Sequence, residues 1–201
     1  GTKPAVLFAP SAREDVPEAR PFTEEEAELL IDCYVESARR AQQAGLDGVQ
    51  LHVAHGYFLN QTISPKTNKR EDRYGGTVEN RMLFIREIIR RIREKLGNEF
   101  PLLMKLACKD GLPDGLLLED SLEVAATAEK MGLDAVEISG GMRPGFNMRK
   151  PKKSEDEGFF LKEAEAFKQR LRIPVISVHG YRTFATMDEL IDNGTIDMIS
   201  L

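Results

Sequence analysis

Cysteine is scarce in this chain of 201 residues, and long apolar runs are missing from it. The two cysteines, Cys33 and Cys108, form no metal-binding or redox motif, which is typical of proteins from a reducing compartment. No stretch of about 18 apolar residues occurs, and no signal-peptide pattern is present. The sequence therefore predicts a cytoplasmic protein that does not enter the membrane.

Positively charged residues are also fewer than negatively charged ones. Lysine and arginine number 28 against 33 aspartates and glutamates, which leaves a net charge of -5. Such a balance argues against a nucleic acid or a membrane surface as the partner. Because 41% of the residues are hydrophobic, the chain can bury one substantial core. We expect a single domain over residues 1–201.

Three segments of the chain repeat one pattern, in which a glycine closes a helix and a short turn with an aspartate leads into a strand. They are residues 44–52, 131–139 and 193–201. Two further strands are predicted after prolines, at 102–106 and 175–178. Helices are predicted between the strands, beginning with a capping box of Thr23 and Glu26 and ending with a helix capped by Thr183. Alternation of this kind implies a parallel sheet, open or closed into a barrel.

Two imidazoles and a phenol, those of His52, His55 and Tyr57, follow the first predicted strand closely. Side chains at the carboxyl end of a buried parallel strand lie where α/β folds place their chemistry. Two imidazoles there can hold one oxygen by two hydrogen bonds, and a phenol can pass a proton. The plainer alternatives are a satisfied core histidine, or an i,i+3 pair on a helix with no chemical role.

The polar loop that follows extends the pattern, with the residues Ser64, Pro65, Asn68, Arg70, Asp72, Tyr74, Gly75, Gly76, Glu79, Asn80 and Arg81. Together with the histidine segment, this loop resembles the old yellow enzyme family of FMN-dependent ene-reductases. In that family HxxHGY or HxxNGY precedes SPxxNxRxDxYGGSxENR. The match covers nearly every fixed position from Ala44 to Arg81, with Thr77 where serine is usual. It continues more loosely over almost the whole chain.

The resemblance implies a TIM (β/α)8-barrel fold. A closed barrel needs eight strands and about 250 residues, whereas five strands are predicted here. By the resemblance, Leu201 falls on the family's eighth strand. We therefore expect a partial barrel that covers roughly strands 4 to 8.

The resemblance also implies an activity, the NAD(P)H-driven reduction of the C=C bond of an α,β-unsaturated carbonyl compound. Hydride passes from flavin N5 to the β-carbon, and the α-carbon is then protonated. His52 and His55 match the family's hydrogen-bond donors to the substrate oxygen, where negative charge develops. Tyr57 matches its proton donor. The implied partner is a small enone or enoate.

FMN is the cofactor that the resemblance implies, and two positions match its binding residues. Lys105 stands where the family generally has arginine beside flavin N1 and O2, so the charge is kept and the planar fork is lost. The alternative is a strand-end lysine that reaches solvent. Gly180 matches a glycine turn at the FMN phosphate, although His179-Gly180 replaces the usual Gly-Gly. The segment 139–141 either lines the site or is only a tight turn.

Two other interpretations remain open. The chain could be a catalytically silent fragment that cannot hold FMN alone, because the first strands of the barrel are absent from it. Its open strand edges would then invite self-association into homo-oligomers. A metal-dependent barrel hydrolase using His52 and His55 is disfavoured, because the chain has only three histidines and no partner carboxylate is evident. We expect no metal. The polar residues of the loop at 68–81 are expected to be structural.

Overall fold

The computed structural model describes residues 6–143, 151, 153 and 156–201, and within them strands and helices alternate. The strands are β1 (Leu7–Ala9), β2 (Ala19–Pro21), β3 (Val49–Val53), β4 (Leu102–Ala107), β5 (Ala135–Ser139), β6 (Val175–Val178) and β7 (Met198–Ser200). The helices are α1 (Glu24–Gln43), α2 (Phe58–Ile63), α3 (Val78–Arg81), α4 (Leu83–Leu96), α5 (Leu118–Lys130), α6 (Leu161–Arg170) and α7 (Phe184–Asp192). No helix in these ranges is long and apolar enough to cross a membrane.

Strands β3 to β7 form one parallel sheet, and they lie in it in chain order. The order does not reverse, as it does at the switch point of a doubly wound sheet. Each new strand adds to the same side, which is how a (β/α) barrel grows. In the described part of the chain β3 and β7 are the two unpaired edges. The five predicted strands are confirmed, and the additional pair β1–β2 has only three residues in each strand, too few to show a pattern.

Helix α1 begins with the predicted capping box, in which Thr23 and Glu26 each bond the other's backbone N–H. Its buried residues lie on the side of the helix that packs against α4. The helix predicted after Thr77 is split into α3 and α4, with Met82 between them. The isoleucines of α4 at positions 85, 88, 89 and 92 are fully buried. Burial of each contributes about 1.5–3 kcal/mol, so this stripe anchors the helix layer.

The last helix, α7, differs from the prediction in one respect. Thr183 occupies the N-cap position, but its hydroxyl makes no capping bond to the helix. It donates instead to Glu157 Oε1, at 3.0 Å. No residue of α7 is buried, and the strand that follows it, β7, is an edge of the sheet in the described residues.

The polar loop between α2 and α4 is held by its own side chains, as predicted. Asn68 donates from Nδ2 to the carbonyls of Thr62 and Tyr74, at 2.6 and 2.8 Å. Arg70 pairs with Asp72 and donates to the carbonyls of two distant residues, Pro10 and Phe22. These bonds hold the loop to itself, to α2 and to the segments at Pro10 and Phe22.

Candidate active site

Three titratable side chains form a row across neighbouring strands. His52 of β3 is in register with Lys105 of β4, and Lys105 is in register with Glu137 of β5. Register partners project from the same face of a sheet, because side chains alternate along each strand. We call His52, Lys105 and Glu137 the polar row. The alternate residues Leu51 and Met104 project from the other face and are buried.

Lys105 and Glu137 form an ion pair within this row. Lys105 Nζ lies 2.6 Å from Glu137 Oε1, and Gln50 Nε2 donates to Glu137 Oε2 at 2.9 Å. The Lys105 side chain is only 20% exposed, so the alternative of a lysine that simply reaches solvent is wrong. Glu137 was not recognised from the sequence. The available signal was a carboxylate inside the apolar strand β5, since a buried charge needs a partner.

The two imidazoles and the phenol come together as the sequence suggested. The His52 ring centroid lies 5.0 Å from that of His55 and 4.9 Å from that of Tyr57. His52 is in a strand and His55 is in a turn with φ of +60°, so the alternative of an inert pair on one helix is wrong. Gly56 follows with φ of +75°, and this left-handed turn brings Tyr57 back beside His52. Tyr57 is 61% exposed, at the mouth of the cluster.

Hydrogen bonds distinguish the two imidazoles. His55 Nε2 lies 2.7 Å from the hydroxyl of Ser139, which is itself buried at the end of β5. A hydroxyl can donate or accept, so Ser139 holds the ring in either tautomer. The ring of His52 has no hydrogen-bond partner among the described residues. Ser139 therefore belongs to the cluster and is more than part of a tight turn, while His52 keeps both nitrogens available.

Burial and positive charge keep the imidazoles neutral. The pKa of His52 is lowered from 6.5, mainly by burial and next by the charge of Lys105, with Glu137 opposing. The pKa of His55 is lowered by burial and then by the charges of His52 and Lys105. A neutral imidazole has one N–H donor and one acceptor nitrogen. Near neutral pH His52 can thus donate one hydrogen bond to an oxygen, and His55 can donate one from Nδ1 in the tautomer whose Nε2 accepts from Ser139.

Gly180 lies at the carboxyl end of β6, on the same edge of the sheet as the polar cluster. Its φ is +85°, and a Cβ there would lie 3.3 Å from the Phe159 backbone nitrogen, so the position suits only glycine. The preceding His179 also has a positive φ, of 77°. His179 Nε2 is buried and has no hydrogen-bond partner among the described residues. Because His179 stands where the family usually has glycine, an unpaired polar atom lies beside this turn.

These residues suit the flavin mononucleotide that the resemblance implies. Lys105 offers a cation on the polar face for an electron-rich ring edge, and the turn at Gly180 with the unpaired His179 nitrogen offers polar groups for a phosphate. The described residues offer no comparable site for a metal ion. No group of three or more histidine, cysteine or carboxylate side chains in the described ranges is arranged to hold a metal ion.

Comparisons with known proteins place this geometry in a family. The chain is 35% identical over 183 residues to an NADH oxidase of Thermoanaerobacter brockii, covering 90% of the chain and 28% of that protein. It is 31% identical over 201 residues to an NADPH dehydrogenase of Geobacillus thermodenitrificans, covering 98% of the chain and 57% of that protein. The chain thus spans little more than half the length of the dehydrogenase.

A solved structure agrees with the fold. An old yellow enzyme homologue from Zymomonas mobilis superposes with a TM-score of 0.75 at 26% identity, covering 96% of this chain and 56% of that one. Since the chain covers about half of a complete barrel protein, its sheet is a partial TIM barrel, as predicted. The sequence profile of a flavin-dependent oxidoreductase family matches residues 3–201. This chain therefore belongs to the NADH:flavin oxidoreductase / NADH oxidase family, whose cofactor is FMN and whose reductant is NAD(P)H.

Proposed function

We propose that residues 1–201 form one partial barrel domain that carries the substrate-activating part of an FMN-dependent NAD(P)H oxidoreductase site. The reaction is reduction of the C=C bond of an α,β-unsaturated carbonyl compound. The observation that carries the proposal is the cluster in which the His52 ring centroid lies 5.0 Å from that of His55 and 4.9 Å from that of Tyr57, beside the cation of Lys105.

The imidazoles hold the carbonyl oxygen of the substrate. Their pKa values are lowered, so both are neutral near pH 7. His52 has one N–H to donate, and His55 donates from Nδ1 while its Nε2 accepts from Ser139. Donors that are already in place when negative charge develops on the oxygen lower the barrier, since no reorganisation is needed. The bond from Ser139 to His55 fixes one of the two rings before substrate arrives.

Tyr57 donates the proton to the α-carbon. Its ring packs at the His52 ring and its side chain is largely exposed, so the hydroxyl can meet a substrate and recover its proton from water. Proton transfer from a positioned side chain contributes a factor of about 10²–10⁴ in rate.

Lys105 and Gly180 would hold the cofactor, with Lys105 as the cation for the flavin ring and the Gly180 turn for the phosphate. Bound FMN, once reduced by NAD(P)H, would supply the hydride. Because Glu137 pairs with Lys105, the charge offered to the ring is smaller than that of an unpaired cation.

A second candidate function is that of a catalytically silent fragment, and the two unpaired strand edges favour it. Strands β3 and β7 end the sheet in the described residues, and the chain spans 57% of the related dehydrogenase. Exposed strand edges pair readily with other chains. In this case the chain forms homo-oligomers through β3 or β7 and does not hold FMN.

A visible absorption titration of the purified chain with FMN separates the two candidates. We expect shifted flavin bands on binding, weaker binding in Lys105→Met, and unchanged binding in the surface control Arg90→Met. With an enone and NADPH, we expect Tyr57→Phe to lower kcat by about 10²–10⁴-fold, and the double change of His52 and His55 to alanine to abolish turnover. Absence of binding at high micromolar FMN would reject the proposal and support the fragment.

A further inference from the structure

We propose that Asn60 and Asp110 are positioning residues that lock the turn at His55 and Gly56, and with it the geometry of the histidine cluster. The chemical importance of that turn rests on the proposed function. The hydrogen bonds that carry the inference do not depend on it.

The turn needs support, because His55 and Gly56 are both left-handed, with φ of +60° and +75°. A non-glycine residue in this conformation costs about 1–2 kcal/mol. Two neighbouring side chains of α2 hold Gly56 at both of its backbone groups. Asn60 Oδ1 accepts from the Gly56 N–H at 2.8 Å, and Gln61 Nε2 donates to the Gly56 carbonyl at 2.7 Å. The position of Gly56 therefore depends on how the Asn60 amide is turned.

Asp110 faces the other end of the same amide and favours that orientation. The amide of Asn60 accepts at one end and donates at the other, whereas an ionised carboxylate only accepts. Asn60 Nδ2 lies 3.5 Å from Asp110 Oδ1, so the carboxylate takes the NH₂ end and leaves the oxygen for Gly56. Both side chains are fully buried, so water does not compete for these bonds. A reversed amide would set two N–H donors against each other at Gly56.

Asp110 is itself fixed in place. Its second oxygen, Oδ2, accepts from Ser64 Oγ at 2.5 Å and from the Leu116 N–H at 2.8 Å. A Cβ on Gly141 would lie 2.6 Å from Asp110 Cα, so the glycine lets the segment after β5 close against it. The preceding Gly140 accepts the His55 N–H through its carbonyl, at 3.1 Å. Asp110 thus braces the turn from two sides.

An exchange of the two side chains tests the inference. In Asn60→Asp two carboxylates meet, and in Asp110→Asn two amides meet, so each single change disturbs the contact. In the double variant N60D/D110N, the aspartate at 60 accepts from Gly56 and from the new amide at 110. The oxygen of that amide still accepts from Ser64 and Leu116. Every hydrogen bond is kept, but in the contact between positions 60 and 110 the donor is now at 110 and the acceptor at 60.

The readout is NMR of the chain without FMN. The three histidines of the sequence give few imidazole signals, so His52 and His55 can be titrated individually. We expect each single change to shift the His55 signals and to raise hydrogen exchange at the Gly56 amide about tenfold or more, as for loss of one hydrogen bond. We expect the double variant to return both to within about threefold of the parent. The matched control is Asn68→Asp, at a buried amide in the polar loop after α2 that does not touch Gly56.

A merely structural role would lower stability in the single variants and in the control alike, and would leave the His55 signals unchanged. That result, or a double variant no better than the singles, would overturn the inference. If a single variant does not fold, hydrogen exchange is measured on the parent chain. Fast exchange of its Gly56 amide would refute the bond from Gly56 N–H to Asn60 Oδ1. No flavin is added, so a chain that fails to bind FMN still returns an answer on Asn60 and Asp110.

Discussion

Lys105 Nζ lies 2.6 Å from Glu137 Oε1, and the Glu137 side chain is only 8% exposed. Strands β4 and β5 therefore carry an ion pair at the point where the family resemblance implies a cation beside the flavin. Gln50 occupies the second oxygen of Glu137, so this carboxylate is satisfied without water. The pair fixes the ammonium beside His52, its register partner on β3.

Breaking this pair from the lysine side should destabilise the fold. We expect Lys105→Met to lower the free energy of unfolding by about 3–5 kcal/mol, since it leaves a buried carboxylate without its partner. Glu137→Gln should cost less, because the Lys105 side chain is 20% exposed and can turn toward water. The double variant should cost less than the sum of the two. Urea unfolding measures all three, and strict additivity would show that the two groups are not coupled.

The stability of the chain should fall as the pH drops below about 6.5. The folded-state pKa values of His52 and His55 lie below the ordinary 6.5, so the unfolded chain takes up protons first. This contribution is full above that pH and is lost as the pH falls toward the folded values. Urea unfolding at pH 7.5 and 5.5 measures the loss. The double change of His52 and His55 to asparagine should flatten the dependence, and an unchanged slope would contradict this assignment.

Arg81 should not be replaceable by lysine. Its guanidinium donates to the carbonyls of Ile63 and Gly76, at 2.7 and 2.5 Å, and to Asp120 at 3.2 Å. A lysine has one ammonium group and cannot span these three acceptors. We expect Arg81→Lys to lower the free energy of unfolding by about 2–3 kcal/mol. The control Arg90→Lys, at an exposed ion pair on α4, should change it by less than about 1 kcal/mol. Thermal or urea unfolding measures both variants. Equal losses of stability would show that the three bonds of the Arg81 guanidinium are not the reason for its importance.

Gly141 should tolerate no side chain. A Cβ there would lie 2.6 Å from Asp110 Cα and 2.7 Å from the Lys109 carbonyl oxygen, and both are backbone atoms that cannot turn aside. We expect Gly141→Ala to cost about 1–3 kcal/mol by overpacking and to shift the His55 signals through Gly140. Gly97→Ala is the comparison, because its Cβ would meet open space and its positive φ costs only about 1–2 kcal/mol. Unshifted His55 signals in Gly141→Ala would show that the segment after β5 does not position the histidine cluster.

Much of the local structure could be predicted from the sequence, because the signals are local. The capping box of Thr23 and Glu26 and the isoleucine stripe of α4 depend on residues three or four apart. Strand β6 has the predicted bounds, Val175–Val178. Strands β1 and β2 could not be predicted, since three residues carry no period. The hydroxyl of Thr183 was expected to cap α7, but a carboxylate 26 residues away, that of Glu157, binds it instead.

The sequence by itself determined the alternation of strands and helices, the number of strands in the main sheet, and the presence of His52, His55 and Tyr57 at a strand end. Tertiary structure alone decided which groups they meet. Glu137 reaches Lys105 across 32 residues, and Ser139 reaches His55 across 84. These contacts depend on the register of β3, β4 and β5, and a shift of one residue would turn each side chain to the other face. Register is set by the packing of the whole sheet, and no local pattern in the chain encodes it.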